Sequence, residues 1–171
     1  DQFTSAQLGI ISTITAGFLI VYLIAQSFWT KIFELSPVLM IAMFAELFFT
    51  PATELWSAKQ RFDYKYGKYV FLTIFMTAFS LGVGIIAVEI TSYKTEARVY
   101  ADMFAKCLVG LCLFILLFKK GRTFYNKKYW KYSLDFNIPL IPHYLSNYIL
   151  NQSDRLMIGK MIGTAQAAYY S

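Results

Sequence analysis

The sequence predicts an all-α, polytopic transmembrane helical bundle with about five spanning helices and the start of a sixth. The chain of 171 residues is 57% apolar and only 15% charged, whereas soluble proteins average about 45–50% and about 25%. Its apolar residues form runs of the length that crosses a bilayer, which is about 20 helical residues. Its basic residues are concentrated in short segments between those runs, as expected for topology signals in a membrane protein.

The first two predicted spans differ in their polar content. Leu8–Trp29 contains no charged residue, whereas Ser36–Trp56 carries Glu46 near its centre and Pro51, which is expected to kink it. A charge at mid-bilayer costs about 2.5–3.5 kcal/mol for Asp. Glu46 is therefore protonated, paired or facing water. It is a candidate site for a coupling cation or proton, and the structural alternative is a hydrogen bond between helices.

The third and fourth predicted spans are Val70–Ile90 and Val99–Phe118. Lys106 lies about two turns into the fourth. We expect its ammonium to reach the nearer interface, as long basic side chains do at helix ends. Pairing with Glu89 across the predicted connecting loop, Thr91–Asp102, is the alternative.

The fifth predicted span, Phe136–Gly163, combines an apolar length with a polar stripe. Polar residues recur there at spacings of three and four, which places them on one helix face. They are His143, Ser146, Asn147, Asn151 and Asp154. Lipid contact would leave such a face without hydrogen-bond partners, so it needs other helices or a wet cavity. Residues 164–171 are predicted to approach a sixth helix.

Two basic segments set the predicted orientation. Ser57–Tyr69 holds four Lys/Arg residues and Lys119–Tyr132 holds six, against five on the opposite side. Two crossings separate the segments, so both lie on one side, which the positive charge identifies as cytoplasmic. In a soluble protein Lys119–Tyr132 would suggest nucleic-acid binding, but between spans it predicts contact with anionic headgroups of membrane lipids.

Motifs for catalysis are missing from the sequence. It contains no phosphate-binding glycine motif, no GxSxG, no metal-ligand cluster and no His/Cys/Asp triad. Cys107 and Cys112 lie in one apolar run, which is typical of inert thiols. The sequence therefore predicts a protein that is not an enzyme and needs no cofactor or metal. The alternative is a membrane enzyme acting on lipid-linked sugars, such as an acyltransferase or polymerase, with His143 at its site.

Three stretches resemble a known family. Asn151–Gly163 contains an Asp154-Arg155 pair and an Ile-Gly turn, and is followed by an Ala-Tyr pair. Residues 55–69, LWSAKQRFDYKYGKY, resemble an aromatic and basic loop, and Pro139 precedes the Asp-Arg pair. These features are similar to those of polysaccharide-repeat-unit flippases in the multidrug/oligosaccharidyl-lipid/polysaccharide exporter superfamily.

The resemblance implies a MATE-like fold of two lobes around a central cavity, of which this chain would be an internal piece with about helices three to seven. Residues 1–118 would then end the first lobe. Residues 119–132 would link the lobes on the cytoplasmic side, and residues 133–171 would begin the second lobe.

The resemblance also implies a function. Such proteins flip undecaprenyl-pyrophosphate-linked oligosaccharides across the bacterial cytoplasmic (inner) membrane for surface polysaccharides such as O-antigen of lipopolysaccharide or capsule. A multidrug exporter of the same fold is a further alternative. The expected partners are the lipid-linked oligosaccharide, membrane lipids and other polysaccharide-assembly proteins, with no nucleic acid. Candidate residues of the substrate path are Lys106, His143, Asn147, Asn151, Asp154 and Arg155, and Glu46 is the coupling-ion candidate.

Overall fold

The structure is a computed structural model that describes residues 1–33, 36–91, 94–161 and 163. Over these ranges it is helical, with no strand, which confirms the all-α prediction. The helices are α1 (Gln2–Ile24), α2 (Gln26–Phe33), α3 (Pro37–Phe62), α4 (Tyr66–Ile90), α5 (Lys94–Gly121), α6 (Lys127–Asn137) and α7 (Ile141–Met161). A 3₁₀ turn, Ile138–Leu140, joins α6 to α7. The predicted approach to a sixth spanning helix lies outside the described residues.

Four helices in the described ranges are long and apolar enough to cross a membrane: α1, α3, α4 and the Ala97–Gly121 part of α5. This confirms a polytopic helical bundle. The fifth predicted span forms α7, whose 21 residues measure about 31 Å at 1.5 Å per residue. Its length suffices for crossing, but its polar stripe leaves it less apolar than the other four.

The helices extend beyond the apolar runs that predicted them. The predicted loop Ser57–Tyr69 is mostly helical, because α3 continues to Phe62 and α4 begins at Tyr66. Tyr64, in the short connection, has a positive φ of 55°. Residues such as Lys, Gln and Arg favour helix, so a spanning helix can continue past the hydrocarbon.

Helices also extend into two other segments that were predicted to be loops. Thr91–Asp102 was expected to be a loop, but α5 begins at Lys94. In Lys119–Tyr132, α5 continues to Gly121 and α6 begins at Lys127. The first predicted span, in contrast, is interrupted at Ala25 between α1 and α2.

Helix α5 is the centre of the packing in residues 1–126, where it contacts α1, α3 and α4. A core of Leu8, Ala52, Val109, Leu113 and Leu117 joins α1, α3 and α5. At Gly110 the helices approach so closely that a Cβ would lie 2.7 Å from the Phe49 carbonyl oxygen. The outer surfaces remain apolar: Phe71 is 72% and Ile85 61% exposed, as expected for side chains that meet lipid.

The chain divides into two compact units, Asp1–Asn126 and Lys127–Ser171. The first contains α1 to α5, and the second contains α6 and α7. The assignment of these parts to two lobes of a larger fold stays a prediction.

Candidate functional site

A charged cluster joins α3, α4 and α5 within the first unit. Lys106 Nζ lies 2.9 Å from Glu46 Oε1 on α3 and 2.8 Å from Asp102 Oδ2 one turn earlier on α5. Its ammonium therefore binds two carboxylates at once. The Lys106 side chain is 39% exposed and that of Glu46 24%, so the pair lies at the edge of the helix packing and not in a sealed interior.

Helix α4 completes the charged cluster through Ser80. The Ser80 hydroxyl donates a 2.6 Å hydrogen bond to Asp102 Oδ1, and Arg98 Nη1 donates a 2.9 Å hydrogen bond to the Ser80 carbonyl. The Arg98 guanidinium rests against Gly84, where a Cβ would overlap it. We use "charged cluster" for Glu46, Ser80, Arg98, Asp102 and Lys106.

The charged cluster corrects the expectation for Lys106. Lys106 was expected to reach the interface or to pair with Glu89. The pairing with Glu89 is wrong, because the ammonium binds Glu46 and Asp102 instead, and the reach to the interface stays a prediction. The partner of Lys106 on α3, Glu46, is 60 residues away in sequence. Of the three states open to Glu46, the structure gives the paired one, which is also the predicted structural alternative of a bond between helices. A role in binding a coupling ion stays a prediction.

A polar groove of about 460 Å³ runs between α3, α4 and α5. From α5, Arg98, Asp102 and Lys106 line it, so that the charged cluster forms one of its walls. Helix α4 contributes four polar residues at spacings of four and three, which puts them on one face. They are Tyr69, Thr73, Thr77 and Ser80.

The α3 wall of the polar groove also carries polar side chains at helical spacing. They are Thr53, Glu54, Ser57 and Arg61. The Arg61 guanidinium carbon lies 5.4 Å from the centre of the Tyr69 ring, which is a cation–π distance. By the predicted orientation this Arg61–Tyr69 pair lies near the cytoplasmic end of the groove.

The polar stripe of α7 forms a second polar region, in the second unit. His143 Nε2 and Asn147 Nδ2 lie 3.1 Å apart, one helical turn from each other. Ser146 Oγ donates a 2.8 Å hydrogen bond to the Pro142 carbonyl. Asn151 and Asp154 are exposed. The side chain of Arg155 lies outside the described part of the chain.

The structure thus brings together Lys106 with Glu46, and His143 with Asn147, among the predicted site residues. Sequence reasoning missed Ser80, Arg98 and Asp102. A signal for two of them was present, because Arg98, Asp102 and Lys106 are spaced by four and share one face of a helix. It was overlooked because Arg98 was placed in the loop before the fourth predicted span, and Asp102 in the overlap of that loop with the span.

Comparison with known proteins gives one family. The family model described as "Polysaccharide biosynthesis protein" matches residues 3–171. No curated protein matches the chain, and no solved structure matches it.

Proposed function

Because the chain belongs to the polysaccharide biosynthesis protein family, we propose that it takes part in flipping undecaprenyl-pyrophosphate-linked oligosaccharide repeat units across the bacterial cytoplasmic membrane. The observation that carries this proposal is the polar groove. Eleven polar or charged side chains line it, although it lies among helices that can span a membrane.

The substrate's chemistry explains why such a groove is needed. Moving hydroxyls and phosphates into hydrocarbon without hydrogen-bond partners costs several kcal/mol per group. A groove between helices supplies those partners, while the carrier's isoprenoid tail stays in lipid. The apolar outer faces of α4, including Phe71 and Ile85, suit contact with that lipid. Transport of this kind proceeds by alternating access and breaks no bond.

We assign roles in this transport to the charged groups of the charged cluster and of α7. Arg98 and Lys106 would meet the pyrophosphate, since arginine and lysine are the usual partners of phosphate oxygens. Glu46 would bind a coupling cation, which must compete with the Lys106 ammonium 2.9 Å away. On α7, His143, Asn147 and Asn151 would line the substrate path, and Asp154 with Arg155 would fix its outer end.

Complementation tests the proposal. The complete natural protein is expressed in a bacterial strain that lacks its own repeat-unit exporter and makes a matching repeat unit. We expect surface polysaccharide to return and lipid-linked repeat units to stop accumulating. Unchanged accumulation at normal protein abundance would contradict the proposal. A changed chemical structure of the accumulated unit would instead support the membrane-enzyme alternative.

A further inference from the structure

Two threonine hydroxyls on the α4 wall of the polar groove donate their hydrogens to carbonyls of their own helix. Thr73 Oγ1 donates to the Tyr69 carbonyl at 3.0 Å, and Thr77 Oγ1 donates to the Thr73 carbonyl at 3.0 Å. A hydroxyl has one hydrogen and two lone pairs. Each threonine oxygen is therefore left able to accept hydrogen bonds, and both residues are exposed.

Two further hydroxyls in the groove also donate their hydrogens to acceptors within the protein. Thr53 Oγ1 donates to the Thr50 carbonyl at 2.7 Å, and Ser80 Oγ donates to Asp102 Oδ1 at 2.6 Å. Thr53 is only 6% exposed, so the accessible oxygen acceptors are those of Thr73, Thr77 and Ser80 on α4, and we use "hydroxyl row" for these three. From Thr73 to Ser80 the row extends about 10 Å along α4, which is close to the length of a disaccharide.

The hydrogen-bond donors and acceptors that line the groove favour some classes of ligand over others. A phosphate offers only acceptors, so it cannot bind the hydroxyl row, although Arg61 and Arg98 can donate to it. A lipophilic cation would seek carboxylates; of the three in the groove region, Glu46 and Asp102 already hold Lys106, and Glu54 alone is left to such a ligand. A polyhydroxylated ligand supplies the many O–H donors that the row requires. The groove volume of about 460 Å³ lies within the range of about 300–1,000 Å³ for small-molecule sites.

We propose that the polar groove is a sugar-binding site, in which Thr73 and Thr77 accept hydrogen bonds from hydroxyls of the repeat unit. The site rests on the proposed function and adds to it: the hydroxyl row binds the sugar, while Arg98 and Lys106 meet the pyrophosphate. Hydrogen bonds from a threonine hydroxyl to a backbone carbonyl of its own helix also occur where no ligand binds. Thr13 provides that comparison, because its Oγ1 donates to the Gly9 carbonyl at 2.8 Å on an exposed part of α1 outside the groove.

The first experiment replaces the hydroxyls in the complete natural protein and measures export at matched abundance. Thr73→Val with Thr77→Val keeps the side-chain shape and removes two acceptors. With one hydrogen bond lost at each site, we expect the export rate to fall roughly ten- to thirty-fold at limiting substrate. Thr13→Val is the matched control and should export as the parent does. Thr73→Ser with Thr77→Ser restores the acceptors and should restore export.

The second experiment measures occupancy directly and does not depend on the valine variant folding. Thr77→Cys is placed in a protein whose native cysteines, Cys107 and Cys112, have been replaced. Alkylation by N-ethylmaleimide is timed in membranes that contain lipid-linked repeat units and in membranes from a strain without the initiating sugar transferase. We expect the repeat units to slow alkylation several-fold at Thr77→Cys and to leave Thr13→Cys unchanged.

The outcomes separate this site from the proposed function. If the parent protein fails to restore export, the proposed function fails. If the parent exports, while the valine double variant matches Thr13→Val and repeat units do not slow alkylation of Thr77→Cys, only the sugar-binding site is overturned. Slower alkylation in the presence of repeat units, with export lost in the valine variant and kept in the serine variant, supports both.

Discussion

The charged cluster and the polar stripe of α7 both place polar groups on helices of a membrane protein. They differ in where the hydrogen-bond and ion-pair partners of those groups lie. In the charged cluster, Lys106 binds carboxylates on two helices within 2.9 Å. On α7, the described contacts of His143 and Asn147 stay within one helical turn. The first arrangement holds helices together, whereas the second leaves side chains available to a ligand or another helix. Substitutions in the charged cluster should therefore lower stability, whereas substitutions on the stripe should reduce transport and leave stability nearly unchanged.

Loss of Lys106 should have the largest effect on stability. Lys106→Leu leaves Glu46 and Asp102 without their shared cation. Breaking a fully buried pair costs about 3–5 kcal/mol, and the partial exposure of these side chains reduces this to about 1–3 kcal/mol. Thermal unfolding of the purified protein in detergent measures the loss.

A double variant controls for the charge change. Glu46→Gln with Lys106→Gln removes both charges of the α3–α5 pair and should lose less stability than Lys106→Leu alone. If Lys106→Leu unfolds at the same temperature as the parent, the charged cluster does not hold the helices together.

Gly84→Ala should have an intermediate effect. The added Cβ occupies the position of the Arg98 guanidinium, which must then leave the Ser80 carbonyl. We expect a loss of about 1 kcal/mol, the usual contribution of one hydrogen bond. Gly82→Ala is the matched control, because among the described residues, apart from its chain neighbours and its own helix backbone, no atom lies within 4 Å of its added Cβ. The two glycines are two residues apart on the same helix, so equal unfolding temperatures would contradict the contact between Gly84 and Arg98.

The sequence was sufficient to predict most of this architecture. Apolar runs located α1, α3, α4 and α5, and the spacing from His143 to Asp154 predicted the polar face of α7. Lys106 and Glu46 were each recognisable as unusual charges in apolar segments. Their pairing was not predictable, because a contact across 60 residues depends on how α3 and α5 are rotated about their axes. Arg98 was missed because α5 begins at Lys94, before the apolar run that was taken as the whole helix, and Asp102 because it stood where that run overlaps the predicted loop.

Substitution on α7 should have the smallest effect on stability and a clear effect on transport. Asn147→Leu with Asn151→Leu replaces exposed side chains, and exposed substitutions usually change stability by no more than about 0.5 kcal/mol. We expect normal membrane abundance, reduced export and accumulation of lipid-linked repeat units in the cytoplasmic leaflet. Normal export by this variant at matched abundance would rule out α7 as a lining of the path.

The most direct test of the proposed flippase function follows the substrate between the two leaflets of the membrane. Lipid-linked repeat units are quantified by an impermeant sugar-modifying reagent in sealed, right-side-out membrane vesicles, with and without the complete natural protein. We expect the protein to move repeat units into the outer leaflet without changing their chemical structure. A leaflet distribution that is the same with and without the protein, at normal protein abundance, would contradict the proposed function.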